Sequence, residues 1–139
     1  MAMCKDMGVN FMWYVHDSII ESYQVNFEDE LLIINTKYDD NIICEKTEVI
    51  FTGYLTHIFY NEMKNSIILD IEECRLNSFF EDERELLEER RKCGWPIMYE
   101  TENDLFNYLH ANKYKAFIIY ASLGLNGWVL AKKIDYVNK

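Results

Sequence analysis

His16-Asp17 is the first pair in the chain whose residue types could do chemistry. Adjacent His and Asp side chains serve as metal ligands in some phosphohydrolases. Two ligands cannot hold a catalytic ion, however, and a working centre needs three or four placed around one point. The chain has only His57 and His110 besides, and neither stands at ligand spacing from another histidine. The expected role of His16-Asp17 is therefore structural, with Asp17-Ser18 turning the chain into its first strand. The cysteines point the same way. Cys4, Cys44, Cys74 and Cys93 are scattered, with no C-x-x-C pair, so neither a thiolate metal site nor a disulfide framework is expected. Cys44 and Cys74 sit in apolar strand-like contexts and are expected to be buried and inert. Cys93 follows Arg90, Arg91 and Lys92, which favour a thiolate, but it ends a helix whose dipole opposes one. Gly124-Leu125-Asn126-Gly127 has the spacing of a glycine clamp on nucleic acid. Its neighbours read as strands, so a hairpin turn at Asn126-Gly127 is the expectation. No phosphate loop, dinucleotide fingerprint or nucleophile elbow is present. No catalytic residue, metal or cofactor is assigned.

The remaining chemistry is electrostatic. Acids number 24 against 14 Lys and Arg, a net charge of −10 over 139 residues. The imbalance is uneven: residues 1–112 hold 23 acids and 9 bases, and residues 113–139 hold 1 acid and 5 lysines. Such a surface repels phosphate backbones and anionic headgroups, so nucleic acid and membrane are not expected partners, whereas a basic protein is. The acids peak in Glu81-Asp82-Glu83-Arg84-Glu85-Leu86-Leu87-Glu88-Glu89. Within this run Glu85 and Glu89 repel at i,i+4. The attractive pairs expected are Arg84–Glu88 and Glu88–Arg91. The cluster is thus not self-neutralised, and Glu81, Asp82, Glu85, Glu88 and Glu89 are the candidate partner-binding residues. Val9 to Val15 is too short and too broken by Asn10 for a secretory core, and no apolar run approaches membrane-span length. A cytoplasmic setting with reduced thiols is expected.

These residues must be positioned by elements of two kinds. Alternation and β-branched content predict strands at 18–26, 31–36, 42–52, 54–60 and 66–71, the first two forming a hairpin through Phe27-Glu28-Asp29-Glu30. Tyr38-Asp39-Asp40-Asn41 reads as a second turn, and Gly53 as a bulge or bend. The period then becomes helical. Phe79, Phe80, Leu86 and Leu87 make an apolar stripe, shared by Glu83 and Arg90, with Asn77 or Ser78 as the expected cap and Glu81, Asp82 and Glu83 in the first turns. Gly94 and Pro96 stop this helix. A second one opens at Thr101 and buries Leu105, Phe106 and Leu109. Strands at 114–121 and 127–137 close the chain, with Trp128 buried near the turn. The fold class expected is α+β, an antiparallel β-sheet with two helices inserted before a C-terminal β-hairpin. Residues 1–139 are read as a single domain, since the length suits one core and no flexible linker interrupts it.

Three stretches together carry a resemblance: His16-Asp17-Ser18-Ile19-Ile20, Cys93-Gly94-Trp95-Pro96-Ile97 and Leu125-Asn126-Gly127-Trp128-Val129-Leu130-Ala131-Lys132. The chain resembles small bacterial immunity-type proteins encoded beside polymorphic toxins in Gram-positive bacteria. That resemblance implies a non-enzymatic protein that binds and neutralises a cognate toxin domain. It transfers no binding residue. An acidic inhibitor would associate rapidly with a basic toxin. The alternative is a small-molecule-binding or hydrolytic domain with a pocket against the sheet, lined by His16, Tyr54 and His57.

Overall fold

The computed structural model describes residues 15–139. Cys4 and the apolar stretch that begins at Val9 lie outside or at the edge of the described residues. Eight strands and two helices follow in the order β1 (Ile19–Asn26), β2 (Leu31–Asp39), β3 (Cys44–Thr52), β4 (Thr56–Tyr60), β5 (Ile67–Cys74), α1 (Leu76–Arg91), α2 (Glu102–Ala111), β6 (Lys115–Leu123), β7 (Asn126–Ala131) and β8 (Lys133–Asn138). The architecture is α+β, with one antiparallel sheet and both helices inserted between β5 and β6.

The strand order β4-β7-β6-β5-β1-β2-β3-β8 conceals a closure. β3 bends at Gly53 into β4, and β7 passes through Lys132 into β8. The two bent strands pair along both arms, from Thr47↔Asn138 to Thr52↔Lys133 and from Thr56↔Leu130 to Tyr60↔Asn126. Backbone hydrogen bonds from Lys132 to Thr52 and from Leu55 to Leu130 carry the pairing through the bend. The ends of the sheet therefore meet, and it curls into a barrel, in which β1 and β5 are joined only near Ile19↔Ile67. Gly53 has φ +69°, a left-handed value suited to glycine, and Lys132 packs where a Cβ would stand.

Alternation sorts the barrel strands into two cores. Inward residues such as Leu32, Ile34, Val49, Phe51, Ile68, Ile71, Phe117, Ile119 and Val129 fill the barrel. Outward residues of β6 and β7, Ala116, Trp128 and Leu130, pack against Phe79, Phe80 and Leu87 of α1 and Leu105 and Leu109 of α2. A buried Leu or Phe contributes about 1.5–3 kcal/mol, so the second cluster is what fixes the helices on the barrel.

The helix boundaries correct the sequence reading at several points. α1 starts after Arg75, whose side chain makes no cap, so Asn77 and Ser78 lie inside the helix and no acid stands in its first turn. The helix bends at Glu83 (φ −108°, ψ 15°). α2 begins as expected: the Thr101 hydroxyl accepts from the Asp104 N–H, and the Asp104 carboxylate accepts from the Thr101 N–H. Tyr38 and Asp39 belong to β2, and the turn falls at Asp40, whose carboxylate accepts from the Ile42 and Ile43 N–H groups. Cys44 is exposed, because it opens β3 beyond the covered part of the barrel; Cys74 is half-buried and Cys93 exposed. Asn126-Gly127 is not the turn. The chain reverses at Gly124 (φ +82°), and Asn126 and Gly127 already belong to β7. The expected strand at 127–137 is divided at Lys132, with its second half serving the opposite side of the barrel.

Candidate functional site

The acidic run divides over α1 because the helix has three distinct surroundings. Phe79, Phe80 and Leu87 face the barrel, with Leu86 half-buried beside them. Glu81, Asp82, Glu85, Glu88 and Glu89 are all exposed. Glu88 pairs with Arg91 at 3.0 Å, as the spacing predicts. Arg84 does not pair with Glu88. It reaches instead to Glu102 at the start of α2, in a two-bond clamp of 2.8 and 3.0 Å. This clamp holds the helices together at their exposed edge. It also removes the one cation expected to offset the middle of the acidic face. Glu81, Asp82, Glu85 and Glu89 close no ion pair among the described residues.

The structure sends these acids to two places. Glu85, Glu88 and Glu89 share a shallow groove of about 730 Å³ with Arg84, Arg91 and Lys92. Asp82 turns the other way, onto a cleft of about 900 Å³ between the first half of α1 and the outer face of β5, β6 and β7. There it meets carboxylates from other elements, Glu72 and Glu73 of β5 and Glu83 of α1, with Arg75 at the rim. The floor and walls are apolar and aromatic: Trp128, Ile118, Tyr120, Leu69 and Tyr60. Leu69, Tyr60 and Tyr120 are among the exposed large hydrophobic residues. Glu72 is only 7% exposed and Trp128 3%.

Burial raises the Glu83 carboxyl above its ordinary value. The Trp128 indole N–H lies beside it as a donor and favours the charged form. Burial, and then the Glu72 charge, also raise the Tyr120 phenol. The cleft is thus a negative field over an aromatic floor. Glu72, Glu83, Tyr120 and Trp128 were not among the residues the sequence singled out for binding. Glu83 had left one signal: it falls on the same helical stripe as Phe79, Phe80 and Leu86, so a carboxylate was bound to meet the barrel.

The pocket residues of the alternative reading are separated. His16 lies in the turn before β1, with its Nδ1 2.9 Å from the Leu69 carbonyl and its Nε2 3.5 Å from Asp17. Asp17 has φ +63° within that turn. Tyr54 and His57 do come together: the Tyr54 hydroxyl is 2.7 Å from His57 Nδ1. Around them, inside one end of the barrel, stand Phe59 and Tyr23, and the Tyr23 hydroxyl donates to Glu62 at 2.5 Å. Burial holds the His57 pKa below its ordinary value, and burial with the Glu62 bond pushes Tyr23 up to about 12. A depression of about 660 Å³ at this end is lined by Tyr23 and Glu62 but by neither Tyr54 nor His57. No group of three or more His, Cys, Asp or Glu among the described residues could hold a metal ion. No described helix is long and apolar enough to cross a membrane. No family model, curated protein or solved structure matches the chain, so its function must be read from this surface.

Proposed function

We propose that the chain is a non-enzymatic, immunity-type protein that binds a basic toxin domain in the cytoplasm and neutralises it. The observation that carries this reading is the exposed carboxylate face of α1, on which Glu81, Asp82, Glu85 and Glu89 close no ion pair among the described residues. Charge left unpaired on a folded surface draws a partner of opposite sign and raises its encounter rate. The test is co-expression with the toxin encoded by the neighbouring gene. The expected result is survival of the host and a stable complex of the purified proteins. A protein that neither protects nor binds removes the reading.

A second reading rests on the Tyr54–His57 pair, a hydrogen-bonded phenol and imidazole of the kind used to move a proton in a small-molecule site. The same assay separates the two. Protection by a His57→Ala variant equal to that of the parent protein leaves no role for this pair in neutralisation.

A further inference from the structure

We infer that the open edge of β1, from Ser22 to Asn26, takes one extended, basic segment of the partner protein as an added strand. The inference rests on the protein-binding reading for the source of that segment, and it adds where and by what chemistry the partner is gripped. The edge is open because β1 and β5 are staggered. They pair only at Ile19↔Ile67, with the Ile20 N–H donating to the Ser66 carbonyl just beyond. From Ser22 onward β1 stays paired with β2 on one side. On the other side it closes no main-chain hydrogen bond among the described residues. The bulge at Glu21 shifts the alternation by one residue. Tyr23 and Val25 therefore follow Ile20 in turning their N–H and C=O groups away from β2. Donors and acceptors that repeat at every second residue of a strand are matched by another main chain in extended form.

Space, apolar contact and charge select the occupant. A depression of about 660 Å³ runs along the start of this edge, between residues 19–23 and residues 62–66. The contact across it is between side chains, the Tyr23 hydroxyl donating to Glu62. Met63 in its wall is 54% exposed, and Phe27 at the far end of the edge is 78% exposed, so an added strand finds apolar surface to cover at both ends. Tyr23 and Val25 pack against the barrel core but stay half-buried, and a strand laid beside them completes their cover. The charge is one-sided. The hairpin from Ile19 to Thr36 holds four acids and no Lys or Arg. Glu21 is paired with Lys46, whereas Glu28, Asp29 and Glu30 at the tip are exposed and close no ion pair among the described residues. A second copy would lay one such acidic hairpin along another, each on a chain of net charge −10. A basic segment meets the tip with opposite charge instead.

The probe is a capped hexapeptide, alternating valine and threonine between two lysines, titrated into the full-length protein and followed by NMR. The comparison peptide carries glutamates in place of the lysines. The expected result is a set of saturable shifts centred on Ser22–Asn26, with exchange of the Tyr23 and Val25 amides slowed about tenfold or more at saturation. Binding should be roughly tenfold weaker for the glutamate peptide. It should weaken by about as much in Val25→Pro, which removes one outward N–H and no hydrogen bond inside the protein. Val25→Thr keeps the N–H and should bind as the parent protein does. Circular dichroism checks that Val25→Pro is folded, and amide exchange in the parent protein decides if it is not. Shifts elsewhere, no shifts, or equal affinity for the two peptides overturn the inference. So do Tyr23 and Val25 amides already protected in the free protein, which would seat the chain's own first residues or a second copy on the edge; sedimentation separates those two. Its failure is distinct from failure of the immunity reading. A protein that neutralises the toxin, with unchanged affinity in Val25→Pro, keeps the function and loses the edge. An edge that takes the lysine peptide in a protein that does not neutralise the toxin keeps the site and loses the function.

Discussion

Glu83 shows how one residue can be read two ways. On the sequence it is one acid among six in an exposed run. In the structure its carboxyl is half-buried at a bend in α1, beside Trp128, and burial raises its pKa. The sign of the consequence follows from linkage. A carboxyl whose folded pKa lies above its unfolded one binds a proton more tightly in the native state, so it lowers stability as pH rises from its ordinary 4.5 through the folded value. Glu83→Gln removes the charge and keeps the shape. It should raise the melting temperature at pH 7, and the advantage should shrink as pH falls toward 4.5. An advantage that is equal at neutral and acid pH would mean that the carboxylate charge is not what the cleft penalises. His57 works in the opposite direction. Its lowered pKa withdraws stability as pH falls below its ordinary 6.5, so acid titrations of the parent protein contain both effects.

At the scale of elements, what could be read locally was read. The β1–β2 hairpin, the bend at Gly53 and the N-cap at Thr101 each depend on residues within a few positions of one another. The start of α1 could not be read, because Arg75 offers no side-chain cap and the Phe79 N–H to Arg75 carbonyl bond opens the helix without one. The reversal at Gly124 was masked by the stronger turn signal of Asn126-Gly127. Gly127 is needed for a non-local reason: its backbone meets that of Ile58 in the neighbouring β4, where an added Cβ would stand 2.0 Å from the Ile58 carbonyl oxygen. The same non-locality hid the cleft, since Glu72, Asp82 and Trp128 meet only after α1 docks on the sheet. That docking has a measurable cost. Leu87 is buried while Leu86 is half-exposed, although both lie on the predicted stripe. Leu87→Ala should lose about 2–5 kcal/mol in urea titration, and Leu86→Ala clearly less. Equal losses would show that the two leucines share one environment.

For the whole molecule, shape and charge are arranged separately. The barrel carries the helical layer on one side, while among the five lysines of the last 27 residues Lys115 and Lys133 open β6 and β8, and Lys113, Lys132 and Lys139 flank these strands. Lys115 and Lys139 meet Glu73 and Glu48 there, so local ion pairs offset part of the strand charge. On the face of α1, Glu81, Glu85 and Glu89 close no such ion pair among the described residues. Exposed charges of this kind act on encounter more than on the lifetime of a complex, and salt screens them over roughly 8–10 Å. Changing Glu81, Glu85 and Glu89 to Lys should therefore slow association with a basic toxin domain by about tenfold or more at low salt and flatten its salt dependence. The dissociation rate should change much less. Folding should be nearly unaffected, because all three side chains are exposed and the Glu85–Glu89 repulsion is only replaced by another of the same size. Stopped-flow association across a salt series measures the effect. An association rate that is the same as that of the parent protein at every salt concentration would place the toxin contact away from this helix.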